Sequence, residues 1–455
     1  VQHRSFWCAN LGGMATPEIL EHSSALVDAW STPGGPGPDA PDGPTNRVTN
    51  ELSDLGDGVS IIESFSHVVT FRTDDGLVLF DSSSVFTGGG VTRSLRAWAD
   101  DPIHTLVYTH GHVDHVGGSG ALVADAVERG HRAPRVVGHE NIDARFARYR
   151  ATNGWNLNVN ARQFGPTAFG HGGAGSGGEA HFLPDDTAPL DALYRDRLDL
   201  HIGGLDLELH HDLGETDDHT WAWIPSHRAV AVGDFVLWVF PNAGNPQKVQ
   251  RYPAEWAVAL RKMLALEPEL LLPAHGLPVQ GRERVATVLD DLATALEGLV
   301  RDVVAGMNAG AVLDDIIHSV RVDDDLIRRP WLRPVYDEPE FVIRNIWRLY
   351  GGWWDGDPAH LKPPPAAALA VELADLTGGA ARLAERAMAR SDAGDHRMAC
   401  QLVELAAGAS EDPGIWRQRA EIYRRRANHE TSLMAKGVYG EAARRSEERA
   451  DPESQ

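Results

Sequence analysis

Between residues 52 and 275 the chain alternates short apolar runs with amphipathic stretches. Residues 59–62, 68–72 and 77–80 are rich in β-branched and aromatic side chains and are separated by turn signals such as Asp74-Asp75-Gly76, so they read as strands. Residues 91–100 read as a helix and 104–108 as a short buried strand. A helix over 121–130, a strand over 135–138 and a helix through Tyr149 follow. Strands resume at 198–201, 205–210, 221–224, 229–232 and 270–272. Upstream, residues 17–30 carry apolar positions at helical spacing behind Thr16 as a cap. Residues 31–44 are too dense in proline and glycine for regular structure and read as a linker. Residues 151–190 are Asn- and Gly-rich and read as a long loop covering a substrate, with Asn160, Arg162 and His171 as contacts. The glycine run at 169–178 lacks the Gly-Lys-Ser/Thr ending of a phosphate-binding loop. Beyond 275 the pattern is helical. Residues 285–307 form one long amphipathic stretch, and Ala-rich helices over 366–376, 380–392, 396–407 and 414–428 are broken at Gly394-Asp395 and Asp412-Pro413-Gly414. The breaks are a weak echo of helix-turn-helix repeats, and antiparallel pairs of this kind bury their faces against one another and against a second subunit.

Four segments follow: an extension and linker over 1–50, a mixed α+β domain over 51–310, a helical domain over 311–440 and a tail over 441–455. With 455 residues, 42% of them hydrophobic, the chain can bury two or three cores. The formal net charge of −23 repels phosphate backbones and anionic lipid, which argues against nucleic-acid and membrane partners. No apolar run approaches the ~18 residues that cross a bilayer. Cys8 and Cys400 are too few for a disulfide framework and read as free thiols. No charged and apolar leader follows Val1, so a signal peptide is either removed or was never present. The expected compartment is the cytoplasm, or the periplasm or exterior if a leader has been cut off.

The candidate chemistry sits in Thr109-His-Gly-His-Val-Asp-His-Val-Gly-Gly118, directly after a buried strand. Neutral imidazoles bind zinc, and a carboxylate adds charge that holds a second dication. On extended backbone, residues two apart share a face, so His110 and His112 can grip one ion while Asp114 and His115, past the turn, address another. Asp81, at a strand end, is a candidate to support the ligands from behind, or a plain turn residue. His139 also follows a strand, but Glu140 beside it opens a new helix, and it is not taken as a ligand.

This His-x-His-x-Asp-His string resembles the metallo-β-lactamase superfamily, which implies an αββα sandwich with metals at its mouth. The resemblance requires further ligands on later strand ends. Glu215 in Gly214-Glu215-Thr216, Asp234 in Gly233-Asp234 and His275 after 270–274 fill those positions in order. A glutamate in the third position is characteristic of the zinc-dependent alkylsulfatases. Residues 334–363, Pro-Val-Tyr-Asp-Glu-Pro-Glu-Phe-Val-Ile-Arg-Asn-Ile-Trp-Arg-Leu-Tyr-Gly-Gly-Trp-Trp onward, resemble that group's dimerisation domain. The resemblance implies an αββα domain followed by an all-α dimerisation domain and a homodimer; the sterol-carrier-like third domain that many of the group carry is expected to be missing, because the sequence stops soon after the dimerisation helices. It implies His110, His112 and Glu215 on one metal, Asp114, His115 and His275 on the other, and Asp234 bridging. The expected cofactors are two Zn²⁺, with Mn²⁺ or Fe as alternatives because carboxylate-rich ligation is hard. Paired dications lower the pKa of a shared water towards ~7. The expected substrate is a small anionic ester, an alkyl sulfate first. Lys248, Arg251 and Asn242 are the candidates for its anionic group and His219 for the proton donor. Trp221, Trp223 and Trp238 either line an alkyl channel or sit in the core, and the Trp353-Trp354 pair belongs to an interface or core. Two departures stand out. The histidines that follow the bridging acid in the group are absent from residues 235–242, and that acid is Asp rather than Glu. The rivals are a hydrolase of the same fold acting on another ester, lactone or amide, and a non-catalytic dimeric binding protein.

Overall fold

The computed structural model describes residues 17–31, 45–165 and 180–451. Cys8, Thr16, His171, the glycine run at 169–178 and most of the Pro/Gly linker lie outside them.

Among the described residues, thirteen strands form two sheets. The first holds β1 (Glu51–Gly56), β2 (Val59–Glu63), β3 (Val68–Thr73), β4 (Gly76–Phe80), β5 (Ile103–Val107), β6 (Arg135–His139) and β7 (Ala192–Tyr194), in that order across the sheet. β1 to β4 form an antiparallel meander, and β4 to β7 run parallel. The second holds β8 (Arg197–Ile202), β9 (Leu205–His211), β10 (Thr220–Ile224), β11 (Ala229–Gly233), β12 (Leu270–Pro273) and β13 (Val279–Gln280), with β11 and β12 its parallel pair.

Strand alternation explains the layering. In β2 and β4 every residue is buried. Ile61, Val78 and Phe80 point into a core shared with Leu207, Val230 and Leu271 of the second sheet. Ile62, Leu77 and Leu79 point the other way, against the helices Gly88–Trp98, Ser119–Glu128 and Asn141–Ala151. Period-two alternation of uniformly apolar strands is what a sheet covered on both faces requires. Helices Pro253–Ala265 and Arg282–Asn308 cover the outer face of the second sheet through Trp256, Leu260, Leu289 and Leu296. Helix Glu18–Ser31 packs there too, with Ile19, Leu20 and Val27 buried. The αββα sandwich and the helical region after it are the expected architecture.

Residues 151–190 depart from the expected loop, because Asn153–Phe164 is a helix. Its buried face is mostly polar: Asn156, Asn160 and Gln163 beside Val159. Asn156 Nδ2 donates to the Thr152 carbonyl and Asn160 Nδ2 to the Asn156 carbonyl. A helix whose inner face meets a cavity has no hydrophobic stripe to announce it.

The helical region contains the expected Ala366–Thr377, Ala380–Asp392, His396–Gly408 and Pro413–His429, and adds Pro339–Gly351 and Leu433–Ala450. The tail placed at 441–455 is thus helical as far as Ala450. Packing does not break at residue 311. Leu313, Ile316, Trp331, Val342 and Ile346 join the core of the sandwich. No helix among the described residues is long and apolar enough to cross a membrane.

Candidate metal centre

Strand ends deliver the site. Beyond β5, the Thr109 N–H and hydroxyl both donate to Asp81, which follows β4. The Gly111 N–H donates to Asp218 at 3.0 Å. These two anchors fix the turn that presents His110 and His112. His112 then leads a single helical turn, Val113–Val116, that carries Asp114 and His115. Asp234 follows β11 and Gly233, whose φ is +52°. A Cβ on Gly233 would also stand 2.9 Å from both His219 Nε2 and Thr109 Cβ, so glycine is required there twice over. His275 follows β12, and Glu215 lies between β9 and β10.

All seven expected ligands converge, in two groups. His110, His112, Glu215 and Asp234 offer ligand atoms within 4.8 Å of one another, as do Asp114, His115 and His275. Asp234 faces both: its Oδ2 is 3.8 Å from His110 Nε2, and its Oδ1 is 3.4 Å from His115 Nε2 and 3.6 Å from His275 Nε2. Asp114 Oδ2 lies 3.6 and 3.5 Å from the same two nitrogens.

The donor set fits a pair of cations. His115 Nε2, Glu215 Oε2 and Asp234 Oδ1 are buried without a hydrogen-bond partner, a costly state that ligation would relieve. His110 Nε2 and His112 Nδ1 face each other at 2.8 Å. Burial, and then neighbouring positive groups, hold both rings well below the ordinary histidine pKa, so they are neutral and can ligate. Burial drives Glu215 well above the carboxylate range, and Asp234 adds to that against the opposing Arg251. Crowded carboxylates of this kind call for positive charge between them. Among the described residues the chain thus carries a binuclear metal-binding cluster.

The supporting residues are more numerous than the motif suggests. Asp81 Oδ2 accepts from His115 Nδ1 at 2.7 Å, so the acid after β4 does brace a site imidazole. Arg145 Nε donates to Asp218 at 2.6 Å, and Arg145 and Asp218 are both buried. His67 pins the residues on either side of His275. Its own N–H donates to the Ala274 carbonyl at 2.6 Å, and its Nε2 bonds the Gly276 carbonyl at 2.9 Å. His67→Ala should therefore weaken metal retention by about 10–100-fold, the usual cost of losing such support. Metal content after dialysis against a weak chelator tests this, and loss of one equivalent is the expected result. Retention equal to wild type would remove the role. Asp218, Arg145 and His67 were missed in the sequence. The only local sign was the doubled acid Asp217-Asp218 directly before His219.

Several expected roles need correction. His219 is fully buried, and its Nε2 accepts the Asp234 backbone N–H at 3.1 Å. Its ring stacks on Phe235 at 4.3 Å, and burial lowers its pKa to about 3. It positions Asp234 and does not reach the cavity as a proton donor. Arg251 and Asn242 do line the cavity, and both also hold Glu215. Arg251 Nη1 lies 2.9 Å from its carboxylate and 2.5 Å from its carbonyl oxygen, and Asn242 Nδ2 donates to Oε1. Trp221, Trp223 and Trp238 are core residues, with Trp238 bonded to the Leu277 carbonyl at 2.7 Å. Arg162 donates to Gln247 at 3.0 Å and does not line the cavity. Trp353 and Trp354 lie on the surface of the chain rather than in its core.

A cavity of about 640 Å³ opens over the two groups, with His112, Asp114, Glu215, Asp234 and His275 in its floor. Phe65, Trp155, Phe164, Phe182, Leu237 and Val249 make much of its wall apolar. Lys248 and Asn160 stand in that wall. Lys248 Nζ donates to Asn160 Oδ1 at 3.0 Å, and burial lowers its pKa to about 8.

Residues 62–275 match the metallo-beta-lactamase superfamily, and residues 312–449 match the family described as alkyl sulfatase dimerisation. By fold and site, the first part of the chain has the metallo-beta-lactamase superfamily fold. The chain joins this to a C-terminal alkylsulfatase dimerisation domain and matches alkylsulfatase homologues over both parts. A linear primary-alkylsulfatase of Pseudomonas sp. (strain ATCC 19151) is 28% identical over 368 residues, 77% of this chain and 68% of that protein. An (R)-specific secondary-alkylsulfatase of Pseudomonas sp. is 25% identical over 362 residues, 74% and 53% of the two chains. The solved structure of the stereoselective inverting sec-alkylsulfatase Pisa1 from Pseudomonas sp. superposes with a TM-score of 0.75 at 21% identity, covering 88% of this chain and 66% of that one. The chain thus spans between about half and two thirds of the length of these relatives.

Proposed function

We propose that the protein is a binuclear metal hydrolase that cleaves alkyl sulfate esters. The observation that carries this reading is the placement of Asp234 between two ligand groups at the floor of a largely apolar cavity. Bound there, two divalent ions, zinc first and manganese or iron as alternatives, would supply Lewis-acid polarisation and an acidified water. In this proposal His110, His112 and Glu215 would hold one ion and Asp114, His115 and His275 the other, and Asp234 would serve both. Arg251 and Asn242 keep Glu215 in its ligating orientation. Asp114, in the cavity floor, accepts the proton that the attacking water gives up. Lys248 spends one of its three N–H donors on Asn160 and turns the others and its charge to the sulfate oxygens. The apolar wall takes the alkyl chain and excludes water from the ester. The C-terminal helices, with Trp353 and Trp354 exposed on their flank, assemble two copies into a dimer.

Turnover of sodium dodecyl sulfate, secondary alkyl sulfates and aryl phosphates by the metal-loaded protein separates the readings. Phosphatase without sulfatase activity sinks the sulfate assignment, and metal binding with no ester turnover favours a binding protein. Lys248→Ala should raise KM for dodecyl sulfate by about 10–100-fold, the value of a charge-assisted hydrogen bond, with a smaller change in kcat. An unchanged KM would take Lys248 out of substrate binding.

A further inference from the structure

The helical domain contributes Val335, Tyr336 and Leu433 to the cavity wall. Tyr336 and Leu433 both line the cavity, and they come from segments that meet each other. The Leu433 N–H donates to the Val335 carbonyl at 2.9 Å, and the Ser432 hydroxyl to the Tyr336 carbonyl at 2.7 Å. The same two segments grip the helix Asn153–Phe164. Gln163 Nε2 donates to the Tyr336 hydroxyl at 3.0 Å. Gly437, in the last helix, lies so close that a Cβ there would stand 2.0 Å from the Gln163 carbonyl oxygen. One turn before Gln163 on that helix is Asn160, the partner of Lys248.

We propose that the last helix of the dimerisation domain is a specificity element of the cavity: through Leu433 and the close approach of Gly437 to Gln163, it fixes the apolar wall and so sets how long an alkyl chain is bound. The substrate class rests on the function proposed above. The helix Asn153–Phe164 is held at Gln163 by this contact and one turn earlier, at Asn160, by Lys248. A push at position 437 therefore travels along a rigid helix to the wall residue Phe164 and the Asn160–Lys248 pair. Helix–helix contacts this close exist only over glycine, and a methyl group inserted there must move one helix.

The test is calorimetric titration of the metal-loaded full chain with butyl-, octyl- and dodecylphosphonate, which are not turned over. Wild type should gain about fourfold in affinity for each methylene that enters the wall. Gly437→Ala should weaken dodecylphosphonate by about tenfold or more. Gly440→Ala, in the same helix with nothing within 4 Å of the added Cβ, should leave it unchanged. Leu433→Ala, which removes wall area without a steric push, should weaken dodecyl- by about three- to tenfold and butylphosphonate not at all. Light scattering on each variant reads the oligomeric state. Wild-type dodecyl affinity in both Gly437→Ala and Leu433→Ala overturns the proposal. So does a Leu433→Ala loss equal for butyl and dodecyl, or a loss seen only where the oligomer falls apart. A wild type whose phosphonate affinity ignores chain length also overturns it. Chain-length-dependent phosphonate binding without alkyl sulfate turnover overturns the sulfatase reading instead, and leaves this one standing.

Discussion

Asp234→Asn is expected to lower kcat/KM for an alkyl sulfate by about 10³-fold, roughly 4 kcal/mol of transition-state stabilisation. Among the described residues, Asp234 is the one side chain whose two oxygens address both ligand groups. Asparagine keeps the shape but removes a negative charge and turns an N–H donor towards one of the two groups. The backbone around it should hold, because Gly233 and the His219 contact to the Asp234 N–H do not depend on the carboxylate. The loss should therefore appear in metal content and turnover, without unfolding. The measurement is metal per chain by plasma emission spectroscopy beside steady-state kinetics. The expected result is a fall from two equivalents to about one, with no change in the far-ultraviolet circular dichroism. Two equivalents retained with turnover within threefold of wild type would show that the carboxylate bridges nothing.

The ligand set was legible because its chemistry is local and ordered. Four donors within six residues leave few uses other than metal, and the remaining three come at strand ends that the period of apolar residues already marked. The αββα order was legible for the same reason, since strands buried on both faces are continuous apolar runs. What supports the ligands was not legible. Asp218 reaches Gly111 across 107 positions, and His67 reaches Gly276 across 209. No spacing rule connects such pairs. His219 illustrates the opposite error. A histidine beside a ligand motif reads as a proton donor, yet the fold turns its Nε2 to a backbone N–H and buries the ring.

The cavity was the least legible part. Its aromatic residues, Trp155, Phe164 and Phe182, flank or lie within a segment whose composition reads as a loop. The tryptophans that draw the eye on strands are core instead. Burial of Asn156, Asn160 and Gln163 on one helix face inverts the usual amphipathic pattern, so hydrophobic periodicity gives no helix there. The cationic candidates could be separated only by their partners. Arg251 is committed to Glu215 and Arg145 to Asp217 and Asp218, whereas Lys248 meets an amide oxygen and the face of the Phe182 ring.

Asp218→Asn should be the most destabilising conservative change near the site, costing about 3 kcal/mol at pH 7. Asp218 and Arg145 form an ion pair that is almost fully withdrawn from water, 0% and 1% exposed. Neutralising one member leaves the other a buried charge with only Asp217, 42% exposed, to answer it. The pH dependence follows from the same pair. Burial alone would raise the Asp218 pKa, but Arg145, followed by the Gly111 N–H, overcomes it and lowers the value to about 2. The unfolded chain titrates this group near ~3.9. A carboxyl group with a depressed folded pKa contributes its stability above the unfolded value and loses it as pH falls towards 2. Wild type should therefore shed about 2 kcal/mol from this group between pH ~4 and 2, and Asp218→Asn should not. Urea midpoints of metal-stripped wild type and variant at pH 7 and pH 3 give both comparisons. The gap between the two proteins should narrow at the lower pH. Equal midpoints at pH 7 would mean that the pair does not hold the turn carrying His110 and His112. A gap independent of pH would place its strength in shape rather than charge.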